Sequence, residues 1–330
     1  MRSGPATLLP GLLVLVAIAG TAGAVGSVVP LASPLVVAIG IGAIVANTAG
    51  VPGWAERGVS KGSLLLETAI VLLGAGVSLD AMIRAGPLLV ALVVAVVAFG
   101  VLVVTLLSRA AGLNDRLGSL LAAGSSVCGV SAIAAAAPAC DAEDAQIAHA
   151  AATILLFDAV TLVAFPAVGR ALDLDPRLFG VWIGLSMFST GPVAAAGFAH
   201  SAVAGEWATM TKLARNALIG VVAVWYSIRY TGRAAGATAP AARRVWIDFP
   251  KFLLGFLALA VLANAGALPQ SAIDSIAGAS DVLFLLAFAG LGLEIRVAEM
   301  RDTGLRPLAI VGAYLLIASA ATFGAVRLLF

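Results

Sequence analysis

Eleven apolar runs follow one another along the chain with only short polar connectors between them, at 8–22, 32–50, 64–83, 87–108, 118–138, 145–166, 178–198, 208–229, 249–267, 280–298 and 306–328. Most are close to the length of about 20 residues that spans a bilayer core of about 30 Å. In hydrocarbon an unpaired amide costs several kcal/mol, and only helices or closed barrels pair them all. The runs are continuous rather than alternating, which selects helices. Composition agrees: 62% of residues are hydrophobic and only 11% are Asp, Glu, Lys or Arg, too few charges to cover a water-facing surface. The sequence therefore predicts an all-α polytopic membrane protein with about 11 transmembrane helices.

Orientation follows from the basic residues. With the N-terminus in the cytoplasm and the spans numbered one to eleven, the cytoplasmic side holds Arg2, Arg57, Lys61, Arg109, Arg116, Arg170, Arg177, Arg229, Arg233, Arg243, Arg244, Lys251, Arg296, Arg301 and Arg306, or 15 of 19. Arg84, Lys212, Arg215 and Arg327 remain. That split is the positive-inside pattern, and it puts the C-terminus outside. The first span, within 1–30, is peripheral to the rest, and Met1-Arg2 with a Leu/Val-rich core before Thr21-Ala22-Gly23-Ala24 also fits a cleaved signal peptide. A first helical group covers 31–229, the Ala/Gly/Pro-rich stretch 230–248 reads as a cytoplasmic linker, and the last three spans cover 249–330.

Several chemistries find no support. The net charge of +2 is spread over many connectors, without the basic block a nucleic-acid surface needs. Cys128 and Cys140 form no CxxC pair and read as free thiols. His149 and His200 share no ligand-spaced cluster, so neither metal nor cofactor is expected. Gly40-Ile41-Gly42 and Gly74-Ala75-Gly76 do not complete a nucleotide loop.

Two runs carry clustered small and hydroxyl residues in their interiors: Gly124-Ser125-Ser126-Val127-Cys128-Gly129-Val130-Ser131 and Gly184-Leu185-Ser186-Met187-Phe188-Ser189-Thr190-Gly191-Pro192. Close helix packing explains small residues in lipid. Clustered hydroxyls, and a proline that removes a helical hydrogen bond at 192, suit broken helices that hold polar solutes near the midplane. The substrate-binding candidates are Ser125, Ser126, Cys128, Gly129, Ser131, Ser186, Ser189, Thr190 and Arg215. A short echo between Gly74–Asp80 and Ala287–Glu294 hints at inverted repeats.

Asp158, mid-span in Leu155-Leu156-Phe157-Asp158-Ala159, is costly in lipid and faces a pathway, a partner or a proton. It is the coupling candidate; a neutral carboxyl bonded to a neighbouring helix is the other reading. Lys212 and Arg215 share one face of span eight, with Asn216 adjacent. Snorkelling suits Lys212, whereas Arg215 could hold an oxyanion in a bidentate fork. Glu67, Asn47 and Asn264 read as interhelical hydrogen-bond formers, and Asp141, Glu143 and Asp144 as caps for span six.

These stretches carry a family resemblance. The chain resembles the bacterial sulfate exporter family (YeiH-type conserved hypothetical membrane proteins) through Gly124–Ile133 with Ala137-Pro138, Thr153–Phe157, Val193–Ala199, Lys212-Leu213-Ala214-Arg215, and Pro250-Lys251-Phe252 with Gly255-Phe256. The resemblance implies an inner-membrane protein with inverted repeats and discontinuous crossing helices, similar to sodium/proton antiporters and bile-acid transporters, in which spans five and ten form the crossing pair. Span five carries an evident break; span ten offers only Gly290 and Gly292. The chain departs from the family where Val130 replaces an Asn, Phe188 and Ser189 replace a His-Asp pair, Pro192 replaces a Gln, and Asp158 stands where a small or neutral residue is usual. Loss of the His-Asp pair removes a proton-responsive couple that Asp158 could replace.

The expected function is secondary transport of a small anionic solute such as sulfate or a sulfonate, with a proton or sodium ion as coupling partner. An anion channel and a non-transporting scaffold or sensor are the alternatives. Catalysis is not expected, because no His stands in a plausible span position to activate Cys128 or the nearby serines. A homodimer is common for this architecture.

Overall fold

The computed structural model describes residues 8–28, 34–77, 79–231, 251–295 and 304–330. Every apolar run is helical across most of its described length, and the described residues contain no strand. The protein is a helical, multi-pass membrane protein. Among the described residues, six helical stretches are long and apolar enough to cross a bilayer. The chain divides into two compact units, Met1–Arg84 with Lys251–Ala298, and Ala85–Pro250 with Glu299–Phe330.

The first unit contains α1 (Leu9–Val28), α2 (Pro34–Thr48), α3 (Gly53–Val59), α4 (Gly62–Leu73, with a 3-10 turn at Gly74–Gly76), α13 (Phe252–Asn264) and α14 (Gln270–Glu294). Its helices approach through glycines. A Cβ on Gly42 would lie 2.6 Å from the Ala289 carbonyl oxygen and 2.9 Å from Gly292 Cα, and Gly11 and Gly58 face each other in the same way. Lipid gives no hydrophobic drive for helix association, so such backbone contact and interhelical hydrogen bonds hold the unit. Asn47 Nδ2 donates to the Ile295 carbonyl at 2.6 Å, and Asn264 Nδ2 to the Val77 carbonyl at 2.8 Å. Gly290 and Gly292 belong to this packing, and α14 runs unbroken through both. Span ten is therefore not half of a broken pair, because its glycines serve contact with Gly62 and Gly42 rather than unwinding.

The second unit is built around two interrupted helices. α6 (Asp115–Ser126) and α7 (Val130–Cys140) are separated by Val127–Gly129, and α9 (Pro176–Ser186) and α10 (Thr190–His200) by Met187–Ser189. The sequence expects each pair to cross the membrane as one broken span. Instead each folds back on itself. Arg116 Nη2 meets Asp141 Oδ2 at 2.9 Å, joining the start of α6 to the end of α7. His200 Nε2 lies 3.2 Å from the Leu174 carbonyl oxygen, and its ring stacks on Phe179 at 4.2 Å, joining the end of α10 to the start of α9. Legs of 11 or 12 residues reach about 17 Å, roughly half a membrane.

α8 (Asp144–Ala171) has 28 residues, about 42 Å of helix, and connects the foot of the first hairpin to the foot of the second. The hairpins thus enter from opposite ends of the unit. Arg170 and Arg177, which the alternating count puts on the same side as Arg116, lie at the other end from it. α11 (Ala202–Asn216) and α12 (Ile219–Thr231) run back from the second foot to the first, where Arg229 meets Asp115 at 3.3 Å. α5 (Leu79–Ala110), from Ala85 onward, and α15 (Leu305–Leu329) complete the unit. At the second foot, Arg177 lies over the rings of Trp207 and Phe330.

Sequence-local chemistry starts these elements. Asn114 caps α6 by accepting from Arg116 N at 2.9 Å, and Asp175 caps α9 by accepting from Arg177 N at 2.9 Å. Glu143 opens α8 in a capping box with Gln146. The expected linker lies outside the described residues from 232 to 250, as do Arg2, Arg233, Arg243, Arg244, Arg296 and Arg301.

Candidate functional site

The hairpin tips meet in the interior of the second unit, and the backbone there sets the chemistry. A helix leaves its last four carbonyls without intrahelical partners. In α6, Val127 N closes on Ala123 O at 3.1 Å and Gly129 N on Gly124 O at 2.8 Å. The carbonyls of Ser125, Ser126 and Val127 remain for others. In α9, Met187 N closes on Ile183 O at 2.9 Å, and the carbonyls of Gly184, Leu185 and Met187 look elsewhere.

Two side chains of α11 satisfy them. Arg215 Nη2 donates to Ser125 O and Ser126 O at 3.2 and 2.8 Å. Its Nη1 donates to Gly184 O, Leu185 O and Met187 O at 3.0, 2.8 and 2.8 Å. Lys212 Nζ donates to Val127 O at 2.7 Å and to Met187 O at 3.2 Å. Both residues are fully buried. A basic group at a helix C-terminus offsets the negative end of its dipole, and here one pair of side chains does so for two helices at once. The oxyanion role expected of Arg215 does not fit this arrangement, since both terminal nitrogens are committed to carbonyls. Snorkelling does not fit Lys212 either, because its nitrogen is drawn to the tips.

The tips also touch directly. Gly129 has φ +69° and ψ −133°, a conformation that essentially only glycine adopts. A Cβ there would collide with Ser189 Oγ of the other hairpin. Ser189 N, at the start of α10 in the second tip, donates to Asp158 Oδ1 of α8 at 3.1 Å. The second carboxylate oxygen is buried without a hydrogen bond of good geometry, as is Ser189 Oγ, although that hydroxyl lies beside the carboxyl. Among the described residues no ion pair reaches Asp158; the salt bridges run through Asp115, Asp141 and Glu143 at the first foot.

Of the sequence candidates, Ser125, Ser126, Cys128, Gly129, Ser189, Thr190, Arg215 and Asp158 converge on this junction. Ser125 contributes its carbonyl, while its hydroxyl bonds back to Leu121 O at 2.7 Å. Cys128 is a buried free thiol in the turn. Thr190 Oγ1 accepts from Asn216 Nδ2 at 3.0 Å. Ser131, exposed in the first turn of α7, lies beside Cys128. Ser186 falls elsewhere: its hydroxyl donates to Trp182 O at 2.7 Å and shares a hydrogen bond of 2.8 Å with Thr322 Oγ1 of α15. Tyr314, which no sequence motif marks, shares with Ser126 Oγ the space that the missing side chain of Gly100 leaves. A lone tyrosine in an apolar run gives no sign of this. Its ring stacks with Phe188, with centroids 6.3 Å apart.

A family model described as conserved hypothetical protein 698 matches residues 10–311. The chain belongs to this family. A member from Nitratidesulfovibrio vulgaris, named a UPF0324 membrane protein, is 34% identical over 90% of this chain and 86% of its own. UPF0324 membrane proteins of Agrobacterium fabrum and Bradyrhizobium diazoefficiens are 30% and 31% identical, over 89% and 93% of this chain and 84% and 89% of theirs. The family match takes in both hairpins, α8 and α11, so the hairpin tips, Asp158, Lys212 and Arg215 lie within the shared region. No solved structure matches the chain.

Proposed function

We propose that this family member is a secondary transporter of a small anionic solute, such as sulfate or a sulfonate, across the bacterial inner membrane. One observation carries the reading: two buried basic side chains, Lys212 and Arg215, face a single buried carboxylate, Asp158, at the meeting point of two half-membrane hairpins. The helix ends add about half a negative charge at each C-terminus and about half a positive charge at each N-terminus, so they roughly cancel. About one positive charge is left over in a low-dielectric interior, which favours an anion.

The hairpins support an inverted-repeat architecture. Leu113-Asn114-Asp115-Arg116-Leu117 before the first break parallels Leu174-Asp175-Pro176-Arg177-Leu178 before the second, and both segments cap their helix by the same contact. This pair replaces the echo between spans three and ten. In the proposed topology nine segments cross the membrane and two hairpins enter from opposite faces to its middle, with the N-terminus cytoplasmic. Such hairpins expose backbone N–H groups near the midplane, the device by which broken-helix transporters hold anions. Asp158 is the proposed coupling residue, and the amide of Ser189 ties it to the second hairpin.

Flux of radiolabelled sulfate and small sulfonates into proteoliposomes, with and without a pH gradient, tests the reading. Uptake that saturates and responds to Asp158→Asn supports it. No flux of any anion tested, with wild type equal to empty liposomes, overturns it. Currents in planar bilayers far above a carrier's turnover would instead indicate an anion channel.

A further inference from the structure

The carbonyls of Ser125, Ser126, Val127, Gly184, Leu185 and Met187 converge from two helix C-termini on one buried place. Backbone carbonyls at the ends of half-helices are hard oxygen ligands, and they are the groups that hold the coupling sodium in broken-helix transporters. Here all six accept from Lys212 Nζ or Arg215 Nη atoms. Arg215 reaches five of them. Lys212 takes the position between the hairpins, with one carbonyl from each tip, Val127 O at 2.7 Å and Met187 O at 3.2 Å.

We propose that the hairpin junction is a monovalent-cation site whose occupant is the protein's own Lys212. The ammonium group is a compact point charge on a flexible stem, with the same charge as the ion it replaces. It is tethered to α11, which belongs to neither hairpin. The cation that neutralises both tips is therefore permanent, and the junction binds no sodium in the wild type. This deepens the proposed transport role by removing sodium from the list of coupling ions at these carbonyls. It rests on that role only for its consequence in flux.

The binding test does not need transport. Thermal unfolding of the purified full-length protein in detergent is followed in NaCl, KCl and choline chloride at equal ionic strength. Wild type is expected to unfold at the same temperature in all three. Lys212→Ala vacates Val127 O and removes one of the two donors to Met187 O; it is expected to unfold earlier in choline chloride and to regain stability saturably with sodium or potassium. Lys212→Gln keeps a donor for one carbonyl and serves if the alanine variant does not fold; the same cation-specific recovery is expected. Wild type stabilised by sodium over choline overturns the proposal, as does a Lys212 variant indifferent to all three salts. In proteoliposomes, wild-type anion flux should be equal in sodium and choline media, and a sodium requirement would overturn the proposal. A wild type with no anion flux in any salt defeats the transport reading alone and leaves the thermal result to decide the cation site.

Discussion

Arg116 and Asp141 form an ion pair of 2.9 Å across the two ends of one helical hairpin. A helix that crossed the bilayer between these residues would separate them by about 30 Å. The contact brings the start of α6 and the end of α7 together, so the two legs begin and end on one side of the unit.

That arrangement can be read by labelling. In a background of Cys128→Ser and Cys140→Ser, single cysteines at Asp115 and Glu143 should react with a membrane-impermeant thiol reagent from one face only, and cysteines at Asp173 and Ser201 from the opposite face. Opposite-face labelling of Asp115 and Glu143 would restore a crossing span.

Arg215 should dominate the stability of the second unit. Arg215→Met leaves four buried carbonyls without donors, those of Ser125, Ser126, Gly184 and Leu185, while Met187 O keeps Lys212; each such group costs about 1–3 kcal/mol, so a loss of about 3 kcal/mol or more is expected. Arg215→Lys keeps the charge but not the fork that reaches both hairpins, and it should recover only part of the loss. Denaturation in detergent measures both, and a Met variant as stable as wild type would remove Arg215 from its capping role.

Gly129→Ala meets two obstacles, the positive φ and Ser189 Oγ. A cost of about 1–3 kcal/mol follows from the backbone alone. Ser189→Ala in the same chain should return the steric share and leave the backbone share. Simple additivity of the two substitutions would show that the tips do not touch.

Asp158→Asn keeps an oxygen for the Ser189 amide, so it should fold with little loss of stability. Asp158→Ala leaves that amide unpaired and should cost about 1–3 kcal/mol. If Asp158 couples transport to protons, the Asn variant should carry anion with a flux that no longer responds to external pH. A pH dependence identical to wild type would exclude it as the coupling group.

The helix caps give a smaller effect. Asn114→Ala and Asp175→Ala should each cost about 1 kcal/mol, seen as matched reductions in unfolding temperature. Unequal effects would argue against equivalent roles for the two hairpin starts.

The amino-acid sequence by itself determined the helical, membrane-embedded character, because apolar run length and the cost of unpaired amides in lipid leave no other solution. It also placed the two interruptions, since clustered Gly and Ser beside Pro192 weaken a helix locally. It singled out Asp158, Lys212 and Arg215, because charges inside apolar runs require a reason. Whether a break bends a spanning helix or reverses it was beyond such a reading. A reversal depends on partners distant in sequence: Asp141 for Arg116, Leu174 for His200, and α11 for both tips. The role of Arg215 was decided in the same way. An arginine fork suits an oxyanion and a helix C-terminus equally well, and only the packing of α11 between two hairpin tips presents it with carbonyls.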